Sequence, residues 1–229
     1  KIIFLLAVCT LVSIILSACG GPVATPEIVV ATEEPAAEEP NVAPAAEAVD
    51  TSGGTLSIGI GAEPETLDPG NASYVQEQLI LTSLFDSLLS IAPDNSIQPG
   101  LARWWRANDA NTRFTFTLRD DVTFHDGTPL NAQAVKATFD HIWSDEVQES
   151  AAKSLLESHN YLETEIMDDY NVVIQFGSPY PTFLWDAARQ WFGISSPHAL
   201  AQYGGDYGRQ PVGSGPFMLA SWEPGSQIV

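Results

Sequence analysis

The chain has 229 residues, with 9 Lys+Arg against 29 Asp+Glu, 45% apolar and 17% charged residues and a mean hydropathy of +0.01. That profile allows one or two globular domains with a sizeable core. A net charge of -20, spread along the chain, repels a phosphate backbone nearly everywhere, so nucleic acid is excluded as an expected partner. Both cysteines, Cys9 and Cys19, lie near the start, which leaves the rest without an internal disulfide, a thiolate metal site or a Cys nucleophile.

Residues 1–18 read as a lipoprotein signal peptide. Lys1 precedes an apolar run over residues 2–16, too short for a spanning helix, and small residues follow at once. Leu16-Ser17-Ala18-Cys19 resembles the lipobox of bacterial lipoproteins, in which the cysteine is acylated and becomes the first mature residue; Cys19 is the expected lipidation site. With no initiator Met, the sequence reads as starting slightly inside its frame. Residues 19–54 form the next region, an acidic Pro/Ala-rich tether. Between positions 20 and 54 stand five Pro, seven acids, no base and no aromatic, too little apolar surface to offset the entropy of ordering.

The folded part is expected over residues 55–229. Leu56, Ile58 and Ile60 alternate with small residues as in a half-buried strand. After two prolines, Ser73-x-x-Gln76 has the spacing of a capping box, opening a helix with Ile80, Leu84 and Leu88 as its stripe and Leu81 and Phe85 beside it. Phe114, Phe116 and Leu118 alternate in a strand, and Val122 and Phe124 extend the pattern as a partner or a bend. Asn131 is placed to cap a helix that buries Val135, Phe139, Ile142 and Trp143. Residues 162–176 read as a hairpin turning at Asp168-Asp169. Two short helices follow, near 182–189 and at Ser196-Pro197, and a last hairpin turns at Glu223-Pro224-Gly225-Ser226. Its second arm is short, which points to an N-terminal fragment of a longer chain. Trp104-Trp105 is assigned to an edge.

No catalytic constellation emerges. Gly59-Ile60-Gly61 lacks the third glycine of a dinucleotide turn, and Val212-Gly213-Ser214-Gly215-Pro216 is neither a P-loop nor a nucleophile elbow. The histidines at 125, 141, 159 and 198 share no metal-ligand spacing, so neither a metal nor a cofactor is expected. His125-Asp126, followed by Gly127-Thr128-Pro129, reads as turn chemistry.

The stretch Leu118-Arg119-Asp120-Asp121-Val122-Thr123-Phe124-His125-Asp126-Gly127-Thr128-Pro129-Leu130-Asn131-Ala132-Gln133-Ala134-Val135 resembles the signature of the family 5 extracellular solute-binding proteins, the peptide and nickel receptors of ABC importers. Gly54-Thr55-Leu56, Thr66-Leu67-Asp68-Pro69, Phe85-Asp86-Ser87-Leu88-Leu89, Pro99-Gly100-Leu101-Ala102 and Pro211-Val212-Gly213-Ser214-Gly215-Pro216-Phe217 follow in the family's order, with Ser214 where Thr is commoner. The resemblance covers residues 54–229. It implies a mixed α/β, bilobal periplasmic-binding-protein-like fold, present here mostly as the first lobe, in a family whose members are considerably longer. It further implies a lipid-anchored receptor outside the cytoplasm, in the periplasm or at the outer face of the cell membrane, which closes on a small solute such as a peptide and delivers it to ABC permease subunits without enzymatic turnover. Dipeptide, oligopeptide, sugar-derivative and nickel-chelate ligands all remain open, and the acidity reflects either ligand or habitat.

Within that resemblance the signature stretch is architectural. The loop from Asn71 to Gln76 is the part that faces the cleft, so Asn71, Ser73, Tyr74 and Gln76 are the candidate ligand-binding residues. Ser73 and Gln76 either cap the helix alone or also present N–H groups to an anionic solute end. Tyr74 offers a flat apolar ring with a polar tip. A secreted hydrolase would need a nucleophile or paired acids that the sequence does not place, and a scaffold lipoprotein would predict repeats, which are absent.

Overall fold

A computed structural model describes residues 54–148 and 150–229; the expected signal peptide, the expected lipidation site Cys19 and nearly all of the expected tether lie outside the described residues. In chain order, a 3-10 turn at Pro69–Asn71 leads to α1 (Val75–Leu84), β1 (Leu89–Ile91), β2 (Ile97–Pro99), β3 (Ala102–Ala107) and β4 (Arg113–Leu118). Then come α2 (Ala132–Trp143), α3 (Ala151–Ser158), β5 (Tyr161–Asp168), β6 (Asn171–Phe176), α4 (Phe183–Asp186), α5 (Pro197–Tyr203), β7 (Trp222–Glu223) and β8 (Gln227–Ile228).

The largest sheet is antiparallel in the order β3-β4-β6-β5, and β1-β2 and β7-β8 form two separate small hairpins. Alternation sorts its faces. Phe114, Phe116 and Leu118 on β4 and Val172, Ile174 and Phe176 on β6 point inward, where they meet Val135, Phe139 and Ile142 of α2. Arg113, Glu165 and Gln175 face out and bond one another, Arg113 reaching Glu165 Oε2 at 3.0 Å. Phe183 of α4 lies at the hub of the core, within ring-pairing distance of Phe114, Phe116, Phe139, Phe176, Tyr180 and Phe192. A second apolar cluster of Leu67, Ala72, Leu81, Leu84, Phe85, Ala199 and Tyr207 joins α1 to α5.

Local chemistry explains the ends of these elements. Asn131 accepts from Ala134 N–H at 3.1 Å and starts α2, and Ser150 and Ser196 cap α3 and α5 in the same way. Asp168 takes the N–H groups of Tyr170 and Asn171, both at 2.9 Å, and turns the β5-β6 hairpin. Several expectations are corrected. Residues 56–60 form no strand, and Leu56 and Ile58 stand exposed, because no described strand offers them a ladder. Val122 and Phe124 belong to a loop closed by a single bridge between Thr123 and Pro129; the partners of β4 are β3 and β6. The helix predicted to reach Leu88 ends at Leu84, where Phe85 turns to extended backbone. Trp104 and Trp105 lie on β3, an edge strand of the sheet.

Candidate functional site

The segment from Asn71 to Gln76 joins the 3-10 turn to α1. Asn71 and Gln76 are half-buried, Ser73 is exposed, and the Tyr74 side chain is 51% exposed beside the exposed Val75 and Leu79. The four candidate residues are thus neighbours along one short path into a helix, together with an apolar surface that the sequence pattern did not single out.

The carboxylate that closes the helix start is Glu77, not Gln76. It is 1% exposed; its Oε2 accepts the N–H groups of Ser73 at 2.7 Å and Tyr74 at 2.8 Å, and its Oε1 accepts Glu65 N–H at 3.3 Å. The first backbone bond of α1 runs from Gln78 N–H to the Tyr74 carbonyl, so the first-turn N–H groups of Val75 and Gln76 have no carbonyl of their own helix. The Glu77 side chain is buried among backbone donors. Sequence reasoning passed over it because a capping box is read as Ser or Thr three residues before the acid, and here Tyr74 holds that position.

Near the end of α1, the signature loop is tied to the glycine stretch that follows α5. His125 N–H donates to Gly213 at 2.9 Å and its Nε2–H to the Gly215 carbonyl at 2.8 Å, which fixes the tautomer, since a carbonyl only accepts. Asp126 accepts from Thr128 N–H and Oγ1 on one oxygen and from Ser196 Oγ at 2.5 Å on the other. Burial pushes the Asp126 carboxyl up, but the hydrogen bonds from Ser196 and Thr128 and the nearby His198 outweigh it and hold it below the ordinary carboxylate range. Ser214 Oγ donates to Asp86 at 2.9 Å, and a Cβ on Gly213 would collide with the Leu84 carbonyl oxygen. His125 and Asp126 are therefore engaged by the chain itself, and the loop welds the end of α1 to the start of α5.

Two further histidines are also engaged within the chain. His141 pairs with Asp68, and His159 stacks on Tyr180 with ring centroids 3.6 Å apart. Among the described residues no three His, Cys, Asp or Glu side chains gather as a metal site. Near the last hairpin, a shallow hollow of about 190 Å³ is lined by residues that include Arg209, Leu219, Ser221 and Trp222, with the Arg209 guanidinium 3.8 Å above the Trp222 ring.

Comparison with known proteins agrees with this architecture. Among curated proteins, the chain is 31% identical over 184 residues to the probable D,D-dipeptide-binding periplasmic protein DdpA of Escherichia coli K12, covering 76% of this chain and 35% of DdpA. It is 32% identical over 165 residues to the glutathione-binding protein GsiB of Salmonella typhi, covering 72% and 32%. The chain thus spans about a third of the length of these relatives. Among solved structures, it resembles AgaA of A. tumefaciens R10 in complex with agropinic acid at a TM-score of 0.65 and 28% identity, covering 72% of this chain and 33% of that one. It resembles the oligopeptide-binding protein OppAIV of Borrelia burgdorferi at 0.66 and 26%, covering 74% and 37%. The family model described as bacterial extracellular solute-binding proteins, family 5 Middle, matches residues 96–229. That match takes in the sheet, the signature loop and the glycine stretch bonded to it, and the chain belongs to the family 5 bacterial extracellular solute-binding proteins.

Proposed function

We propose that this chain is part of the substrate-binding component of an ABC importer, which captures a peptide or similar small solute outside the cytoplasm and passes it to the permease unchanged. The observation that carries this reading is the family match over residues 96–229. The relatives named for dipeptide and glutathione binding favour short peptide-like solutes with charged ends and one or two amides. In this reading residues 1–18 are the signal, Cys19 carries the lipid, residues 19–54 hold the binding domain off the membrane, and residues 55–229 supply part of that domain.

Asn71, Ser73, Tyr74 and Gln76 are the proposed solute contacts. Glu77 already occupies the N–H groups of Ser73 and Tyr74. Solute contact is accordingly assigned to the side chains and to the free first-turn N–H groups rather than to a complete anion-binding helix start. The exposed Tyr74 ring is the strongest single candidate.

The full-length protein, titrated with di- to pentapeptides by calorimetry and tryptophan fluorescence, is expected to bind without forming product, and Tyr74→Ala to weaken binding about three- to tenfold. New product peaks in mass spectra of the mixture would move the protein to the hydrolases. For the anchor, mass spectrometry of the mature N-terminus is expected to find diacylated Cys19; a free thiol there, or cleavage elsewhere, refutes it.

A further inference from the structure

The path into the candidate segment is held by a buried acid-base pair that the sequence reading did not single out. Asp68 is 5% exposed and divides its carboxylate, Oδ1 accepting Gly70 N–H at 2.9 Å and Oδ2 lying 2.8 Å from His141 Nε2 at the end of α2. The same glycine is held from the opposite side, where Ser150 Oγ at the start of α3 donates to the Gly70 carbonyl at 2.6 Å. A Cβ on Gly70 would stand 2.7 Å from Ile142 Cγ1. The Gly70 N–H is thus held by Asp68, which His141 of α2 anchors, its carbonyl by the start of α3 and its Cα face by Ile142 of α2, one residue before Asn71.

The groups facing His141 come from every neighbouring element. Asp68 approaches from the turn, Glu146 from the loop after α2 with Oε2 3.9 Å from Nδ1, and the Tyr207 ring from the segment after α5 at 6.0 Å. On α3, Lys153 donates Nζ to the carbonyls of Ser144 and Val147. Two carboxylates therefore oppose one ammonium that is already engaged. Burial pushes the His141 imidazole down, but the hydrogen bond and charge of Asp68, with Glu146, outweigh it and hold the pKa above the ordinary histidine value. A raised folded-state value means that the imidazolium stabilises the fold fully below about pH 6.5 and that this contribution is lost as pH rises through the folded-state value.

We propose that His141 is a positioning residue: its imidazolium, through Asp68 and Gly70, orders the segment from Asn71 to Gln76, and the order of that segment falls when the imidazolium loses its proton. The link to solute affinity rests on the reading of that segment as solute-facing; the link to segmental order does not.

Hydrogen exchange of the full-length protein, corrected for intrinsic rates and read without solute in a pH series between pH 6 and pH 8.5, tests it. Protection of the amides of residues 70–74 is expected to fall several-fold between the two, while the amides of β4 and β6 keep theirs. His141→Gln, which retains a donor and loses the charge, should show the low protection at both. Glu146 is exposed and makes no bond to the segment, so Glu146→Gln should leave the pH 6 value intact and move the midpoint to lower pH. Protection independent of pH in the natural protein, or an unmoved midpoint in Glu146→Gln, overturns the proposal and leaves the solute reading standing. A pH-dependent segment in a protein that binds no peptide refutes the solute reading alone.

Discussion

Gly127 has φ +81° and open space where a Cβ would project, so a side chain there meets no neighbour and only a backbone penalty. Gly127→Val is expected to lower stability by about 1–3 kcal/mol in urea melts while peptide affinity of the folded protein stays within error. An affinity loss without a stability loss would place this turn at the solute. Its neighbour Asp126 makes an acid-side prediction. A carboxylate held below its ordinary value contributes stability above about pH 3.9 and loses that contribution as pH falls further, and Asp126→Asn removes it. Melting temperatures of the two proteins should therefore differ at pH 7 and converge as pH falls through and below 4. Phe183, paired with six rings and fully buried, is a third sensitive position: Phe183→Ala should cost about 3–5 kcal/mol by the same melts.

Elements differ in how far their residues announce them, and the reason is whether their determinants are local. The β5-β6 hairpin and α2 were legible because Asp168 and Asn131 make their turn and cap within a few residues, beside an apolar period that matches the fold except at Trp143, which was expected on the buried face of α2 and stands exposed at its end. β3 was missed as a strand: Arg103-Trp104-Trp105-Arg106 does not alternate by polarity, since Trp104 stands exposed while Trp105 beside it packs against the core. α3 was missed because only Ala152 and Leu156 are fully buried on it, and its main determinant, Ser150, also bonds to Gly70 80 residues away. The candidate segment was placed by family resemblance alone. The long-range groups that shape it, Glu65 to Glu77 and Asp68 to His141, have no sequence signature, because their partners meet only after the chain folds. Removing one such group is informative. Glu77→Ala leaves the Ser73, Tyr74 and Glu65 N–H groups without their acceptor and is expected to cost about 1–3 kcal/mol. If Tyr74 is set by this carboxylate, the variant also weakens peptide binding; unchanged stability in calorimetry would show that water replaces it without loss.

For the molecule as a whole, a charge of -20 sets a background of self-repulsion. The Arg103–Asp120, Arg113–Glu165, Arg119–Asp121 and Lys136–Asp140 pairs are largely exposed and contribute little. Salt should thus relieve more repulsion than it removes attraction, and the melting temperature is expected to rise between about 10 mM and 0.5 M NaCl. A fall would show that the surface pairs matter more than the net charge. The order β3-β4-β6-β5 also bears on how the chain reaches this state. β3-β4 and β5-β6 are each formed by neighbours in sequence, whereas β4 and β6 meet across about 50 intervening residues that carry α2 and α3. Hairpins close in microseconds, but joining them must close that long loop before the Phe183 core gives any return. The rate-limiting encounter in folding is then expected to be the docking of two preformed ribbons, with α2 packing against their shared face. Substitutions at the β4-β6 seam, such as Phe116→Leu, would slow folding, and changes within either hairpin turn would act mainly on the early, fast phase.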